Sequence, residues 1–413
     1  MTPARSPAIV TTPSSPAPIA PVRVAAFTAV TAAGHGRSAL LDALVDGRSG
    51  LRPNDFSPTP LHTWIGRVAG LETAALPEPL AEWECRNHRL AWQGLQADGF
   101  VDDVARAVRR HGAHRVALVL GTSTSSIGET EAAYATLDRD GQFPPGMRRT
   151  RIHTMHSLGL FVGAALGLQG PAITVSTACS SSAKVFASAE RLLRLGLCDA
   201  AVVGGVDTLC GNVLFGFHAL QLVSPEPCRP FDAHRSGISL GEAAGFALLE
   251  RDDAGDAPLQ LRGYGESSDA HHMSSPHPEG LGAELALDDA LARAGLQCDD
   301  IDYLNLHGTA SGKNDEVEAA LVARRFGPAL HASSTKGLTG HTLGAAGIVE
   351  SVVCLLAIRH GVKPGTAHTR TLDPACGPQL QLLASRGSVR TAATNSFGFG
   401  GNNCVLVFAQ GGP

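Results

Sequence analysis

Apolar runs of strand length alternate with segments of helical period along most of the chain. VRVAAFTAVTAAG (22–34) predicts a buried strand and a small-residue turn, and a helix follows over 37–47. Residues 86–110 carry helical period with arginines on the outer face. RVALVLGTSTSSIGE predicts a buried strand that ends at Gly121 in a Gly/Ser/Thr loop. The stretch 122–157 is polar and irregular, contains PPGMRRTRIH, and is expected to border a site. VSTACSSSAKVFASAERLLRLGLCDAAVVGG (175–205) reads as an apolar strand, a sharp turn carrying Cys179, an amphipathic helix and a second buried strand. PEPCRPFDAHRSGISLGEAAGFALLE then predicts a long loop and a strand.

After the short charged segment RDDAGDA (251–257) the same grammar restarts. A strand (258–266), a helix (281–295), the strand DYLNLHG, a helix (315–325), a strand, a Gly-rich loop and a helix (346–360) follow, and strand–loop–strand closes the chain. Such alternation predicts an α/β architecture, and the restart predicts two similar βαβ-rich halves over 22–257 and 258–413. Residues 1–21 are rich in Pro, Ala, Ser and Thr and read as a disordered tail without the basic start and apolar core of a signal peptide.

Composition narrows the function. A chain of 413 residues, 44% hydrophobic, can bury a large core, and with aromatics at 5% that core must rest on Ala, Leu and Val. A net charge of −5 gives no basic excess for nucleic acid or lipid. Nine scattered cysteines without CxxC spacing argue against a disulfide framework or a structural zinc site and fit a reducing cytosol. No membrane span is expected. Lysine occurs only at 184, 313, 336 and 363, so Lys336, inside a Gly-rich and mostly uncharged motif, stands out.

Cys179 sits where a helix begins. Unpaired N–H groups and the helix dipole favour an anion there, so this thiol is expected to ionise more easily than an ordinary cysteine. Three loops of the second half follow predicted strands: NLHGTASGKND with His307, SSTKGLTGHTLGAAG with Lys336 and His341, and NSFGFGGNN with Phe397 and Phe399. Ligands of open α/β sheets gather at strand ends. Taken singly, His307 reads as a core histidine, His341 as a helix cap and Lys336 as an ion-pair partner for an acid such as Glu350. Taken together at strand ends, they read as a Cys/His/His cluster. No GxGxxG after the first strand and no GxxxxGK[ST] is present, which excludes the common nucleotide sites.

With TACSSSA, HGTASGKND, STKGLTGHTLGAAG and NSFGFGGNN in order, and with CRPFD (228–232) and GYGESSDAHHMSSPHPEG (263–280), the chain resembles the β-ketoacyl-acyl-carrier-protein synthases from about residue 22 to 410. The resemblance implies a thiolase-like fold, duplicated βαβαβ halves in a five-layered αβαβα arrangement. It implies a type II condensing enzyme that holds an acyl chain on Cys179 and extends it with malonyl units by decarboxylative Claisen reaction. It assigns His307 and His341 to the enolate, Lys336 with Glu350 to organising the site, backbone N–H groups of Cys179 and Phe399 to the oxyanion hole, and Phe399 also to gating. Thr309 and Ser311 match the positions that bond the phosphopantetheine arm, Ser311 standing where Thr is more usual.

No bound cofactor or metal is implied; substrates arrive on acyl carrier protein. That partner is acidic, and Arg148, Arg149 and Arg151 are candidates for its docking patch, with an ordinary solvated loop as the equal alternative. The family also implies a cytoplasmic dimer, of two copies or of this chain with a chain-length-factor-like paralogue. RSGISLGEAAG departs from the family's RDGF…GEGAG, with Ser236 for an acid and Ile238 for an aromatic. TACSSSA leans toward a dedicated pathway, polyketide or aryl polyene, rather than fatty acid synthesis. Other readings fit less well. A chain-length factor lacks the nucleophile, a thiolase places its second cysteine earlier than Cys404, and an initiating synthase pairs Cys and His with Asn.

Overall fold

Apolar β-branched runs and alanine-rich amphipathic segments sort themselves into one continuous sheet whose two halves form separate layers around a helical centre. The computed structural model describes residues 16–56, 59–252 and 255–412. The first half contributes β1 (Val22–Thr31), β2 (Val116–Gly121), β3 (Ala172–Val175), β4 (Ala200–Asp207) and β5 (Ala243–Arg251). The second contributes β6 (Gln260–Ser268), β7 (Tyr303–Asn305), β8 (His331–Ser333), β9 (Thr391–Gly398) and β10 (Asn402–Ala409). Strand order is β1-β5-β4-β2-β3 in one half and β6-β10-β9-β7-β8 in the other. Each strand of the first half therefore has its counterpart five strands later. Directions match as well: β2 is parallel to β3 and β4 while β5 is antiparallel to β4 and β1, and β7 is parallel to β8 and β9 while β10 is antiparallel to β9 and β6. The halves meet where β1 pairs β6 through Val22↔Leu261 and Arg23↔Gln260.

The first-half helices are α1 (Gly36–Asp46), α2 (Arg86–Gln96), α3 (Phe100–His111), α4 (Ile127–Ala135), α5 (Ser157–Leu166), α6 (Ser181–Arg194) and α7 (Gly211–Ala219). The second half adds α8 (Leu281–Ala294), α9 (Gly312–Arg325), the single turn α10 (Lys336–Thr339) and α11 (Ala346–His360). Helices α6 and α11 pack on each other and on both sheets, α2, α3 and α5 cover the outside of the first sheet, and α8 and α9 cover the outside of the second. The result is five layers, αβαβα.

Several details differ from the sequence reading. The helical region 86–110 is two helices, because Asp98 takes φ +57° and breaks the run between α2 and α3. The stretch 122–157 holds α4 inside what reads as irregular loop. Most of the expected tail (residues 1–15) lies outside the described residues, but Ile19 packs on the core and donates its N–H to Arg293 O at 2.9 Å, so the ordered chain begins before Val22. Among the described residues, Leu343–His360 is long and apolar enough by length and composition to cross a membrane, with a mean hydropathy of 1.6. It is 89% buried, because α11 lies between two sheets and has apolar neighbours all round.

Candidate functional site

The site forms where the N-terminal ends of α6 and α11 meet. Gly347 packs so tightly on α6 that a Cβ there would lie 2.4 Å from the Ala183 backbone nitrogen. Ser182 Oγ accepts the N–H of Ile348 at 2.9 Å. These contacts lie a few residues beyond Cys179 on one helix and His341 on the other, so the packing of two halves sets the distance between nucleophile and imidazole.

Cys179 follows β3 at a sharp corner in which Ala178 takes φ +52°. Small hydroxyl residues knit the corner together: Thr177 N–H donates to Ser181 Oγ at 2.9 Å, and Ser181 Oγ–H donates to Ala178 O at 2.6 Å. His307 lies just past β7. Its N–H and that of Gly308 donate to Glu318 on α9 at 2.8 and 2.7 Å, and Asn395 on β9 donates to the same carboxylate at 3.0 Å. Asp315, one turn earlier on α9, accepts the N–H groups of Thr309, Ala310 and Phe231 at 3.0, 3.2 and 2.7 Å. His341 is fixed through its backbone, donating to Ser239 O at 2.7 Å and accepting from Gly241 N–H at 2.9 Å.

These elements bring the sequence-derived residues together. Cys179 Sγ lies 3.0 Å from His341 Nε2. The His307 and His341 rings stand nearly perpendicular, 88° apart, with centroids 5.4 Å from each other. One ligand-type atom from each of Cys179, His307 and His341 falls within 4.8 Å of the others. Lys336 Nζ pairs with Glu350, donates to His307 O at 2.5 Å and lies 3.4 Å from His307 Nδ1. That contact leaves Nε2 of His307 facing the thiol side.

A cavity of about 380 Å³ opens onto Cys179, His307 and His341. Phe217, Ile238, Phe397 and Phe399 line it beside the nucleophile, and Thr309, Ser311 and Lys313 line it farther out. Thr309 Oγ1 and Ser311 Oγ lie 2.9 Å apart. Phe399 packs on Phe217 at 5.6 Å, and its backbone N–H points at Cys179 Sγ, where it favours the thiolate.

Electrostatics corrects one expectation and accounts for another. Burial pushes the Cys179 thiol up to about 12, although Lys336 and the Phe399 N–H pull the other way. Loss of water outweighs the helix terminus, so the resting residue is a thiol and not a standing thiolate. The same burial, with the Lys336 charge beside them, holds His307 and His341 well below the usual imidazole range. Both rings are neutral at pH 7. Burial also raises Glu350 and Glu318, each to about 7, against the partners that bond them.

Not every candidate joins the site. Arg149 reaches Glu82 O and Glu129, Arg151 lies by Glu82 and over the Trp83 ring, and Arg148 donates to Phe143 O. None of the three lines the cavity leading to Cys179. Ser236 Oγ meets Ser224 Oγ at 2.8 Å, a local loop contact, whereas Ile238 lines the cavity itself. Asp315 and Glu318, which position the His307 loop, escaped the sequence reading. Their signal was two acids three residues apart in the first turns of the helix that follows HGTASGK. Asp207 escaped too: it gathers the N–H groups of Ser123, Thr124 and Gly344 at the end of β4, and its nearest partners are more than eighty residues away in the chain.

Comparison with known proteins agrees with this geometry. Residues 85–254 match the N-terminal domain of the β-ketoacyl synthases and residues 259–370 match the C-terminal domain. The chain is 35% identical over 391 residues to nodulation protein E of Rhizobium meliloti (strain 1021), covering 88% of this chain and 93% of that protein. It is 33% identical over 396 residues to 3-oxoacyl-[acyl-carrier-protein] synthase 2 of Vibrio harveyi, covering 89% and 93%. Among solved structures, the ketosynthase ApeO in complex with its chain length factor ApeC, from Xenorhabdus doucetiae, superposes with a TM-score of 0.86 at 37% identity, covering 95% of this chain and 98% of that one. Fold and site thus define a thiolase-like acyltransferase. The chain belongs to the β-ketoacyl synthase family, as a type II condensing enzyme.

Proposed function

We propose that this enzyme elongates acyl chains carried by acyl carrier protein, with Cys179 as nucleophile. The observation that carries the reading is the buried contact of Cys179 Sγ with His341 Nε2 at 3.0 Å, with His307 beside it. The acyl thioester enters along the cavity, and Thr309 and Ser311 bond the phosphopantetheine arm. As Sγ attacks the thioester carbon, its proton passes to the departing pantetheine sulfur, and His341 keeps its own Nε2 proton for the enolate. Proton transfer at the moment of attack suits a thiol that burial keeps protonated. Backbone N–H groups of Cys179 and Phe399 hold the oxyanion.

Malonyl carrier protein then enters. Loss of CO₂ leaves an electron pair on the thioester enolate, whose oxygen accepts N–H bonds from neutral His307 and His341. The enolate carbon attacks the acyl-Cys179 carbonyl, and collapse expels the Cys179 thiolate. The product is a β-ketoacyl thioester two carbons longer, and a proton restores the thiol. Lys336, held by Glu350, orients His307 rather than touching substrate.

The partner is either a second copy or a chain-length-factor-like paralogue; the similarity to a ketosynthase solved with its chain length factor favours the paralogue and, with it, a polyketide-type or aryl polyene pathway over fatty acid synthesis. We take 22–257 and 258–413 as the two halves and the cytoplasm as the location, where nine free cysteines stay reduced. Intact-mass spectrometry with a panel of acyl carrier proteins followed by malonyl carrier protein tests the reading. An adduct that is absent from Cys179→Ala, disappears on malonyl addition and yields a chain two carbons longer supports it. An adduct on another residue sinks it.

A further inference from the structure

The three side chains at the centre of the site have a second chemistry. We propose that Cys179, His307 and His341 bind a soft divalent ion such as Zn²⁺, and that the bound ion reversibly blocks acyl loading. One thiolate and two imidazoles with an open fourth position are a donor set that Zn²⁺ accepts in tetrahedral geometry. With Zn–S of about 2.3 Å and Zn–N of about 2.0 Å, tetrahedral angles place sulfur and nitrogen roughly 3.5 Å apart. Here Cys179 Sγ and His341 Nε2 are 3.0 Å apart, and the three ligand atoms fall within 4.8 Å of one another. Cys179 Sγ and His341 Nε2 must part by about 0.5 Å, and the widest separation must close by no more than about 1.5 Å, within reach of small rotations of the three side chains. The two rings stand nearly perpendicular instead of stacking.

The ring tautomers must also suit the ion. His341 Nδ1 has no partner among the described residues, so that ring is free to carry its proton there and offer Nε2 to the metal. His307 must move its proton to Nδ1, which faces Lys336 Nζ at 3.4 Å. Lys336 keeps two stronger partners, Glu350 and His307 O, so this contact is the one that yields. Only the Cys179 thiol proton is released, and it leaves through the cavity that admits the ion. Once sulfur is bonded to metal it cannot attack a thioester.

The binding claim rests on ligand geometry; its inhibitory consequence rests on the condensing reading above. The test is therefore spectroscopic first. Purified enzyme is titrated with Co²⁺, and a thiolate-to-metal charge-transfer band with tetrahedral visible bands is expected at one ion per chain. Pre-alkylation of Cys179 with iodoacetamide, which leaves the fold intact, abolishes the bands. His341→Ala shifts or removes them. Zn²⁺ at ten times its dissociation constant slows alkylation of Cys179 about tenfold by mass action, and a chelator restores both alkylation and condensation. Bands that survive alkylation, or their absence in enzyme that condenses normally, overturn the proposal. Bands in a protein that fails to condense leave the metal site standing and defeat the functional reading instead.

Discussion

The same burial acts in opposite directions on two partners 3.0 Å apart: it raises the Cys179 thiol and lowers the imidazole of His341. Both stay neutral, and charge appears only when the substrate arrives. A pH consequence follows. An ordinary histidine is half protonated near pH 6.5 and loses its lone-pair chemistry below it. Because His307 and His341 titrate well below that range, kcat/KM for condensation should stay flat as pH falls from 7.5 through 6.5, as a pH–rate profile would record. Stability behaves differently. His307, His341 and His88, the last lowered to about 4 by burial, remain neutral when folded and take up protons when unfolded. Their contribution is present above the unfolded value of about 6.5 and fades as pH falls toward the folded values. Each costs up to about 1.4 kcal/mol per pH unit, visible as a falling Tm in calorimetry.

Lys336 gives a second residue-scale test. Its pairing with Glu350 is buried on both sides, at 2% and 3% exposure. Lys336→Met strands a carboxylate in the interior and should cost about 3–5 kcal/mol in denaturant unfolding. Adding Glu350→Leu should recover much of that stability while activity stays low, because His307 has lost its neighbour.

At the scale of elements, the decisive contact is the crossing of α6 and α11. Gly347→Val puts branched carbon where the Ala183 backbone lies, and the helices must part. We expect a loss of about 1–3 kcal/mol together with a fall in kcat larger than any change in KM, since the Cys179–His341 distance opens while the cavity mouth is untouched. Helix α9 offers a quieter probe. Glu318→Gln replaces a carboxylate oxygen with an amide donor opposite the N–H of His307 or Gly308, and thermal melts should show about 1–3 kcal/mol of destabilisation.

This scale also explains what could be read in advance. Strand period, the corner at Cys179 and the loops of His307, Lys336 and His341 are local patterns, and local patterns survive in a sequence. The break at Asp98 does not, because one left-handed residue leaves the helical period of its neighbours unchanged. The ionisation of Cys179 was misjudged because a helix start is visible locally whereas depth of burial is a property of the assembled layers. Asp207 was missed for the same reason: its partners come from the loop after β2 and from the loop before α11. Arg148, Arg149 and Arg151 form a cluster visible in the sequence, but their partners, Phe143 O for the first and Glu82 and Glu129 for the other two, are set by the fold.

For the whole molecule, the edge of the first sheet exposes apolar surface. Strand β3 is the outer edge of its sheet and lies directly before the nucleophile, yet Ile173 on it is 38% exposed, and Leu160 on α5 beside it is 39% exposed. An apolar edge strand left open is a pairing site. Ile173→Lys with Leu160→Glu should convert the assembled species to monomer in light scattering, and condensation should fall with it because β3 leads into the Cys179 corner.

The matched strand orders also pair the corners of the two halves. Position for position, the end of β2 with Thr122 mirrors the end of β7 with His307, and the corner after β3 with Cys179 mirrors the corner after β8 with Lys336. The paired corners are equivalent in place and differ in chemistry. One corner holds the nucleophile, and Asp207 at the neighbouring strand end ties down backbone N–H groups and the hydroxyls of Thr122, Ser123 and Thr124. The other handles protons and the enolate. Neither half retains a working set, so a gene split between them would yield two inert fragments whose activity returns only on reassembly.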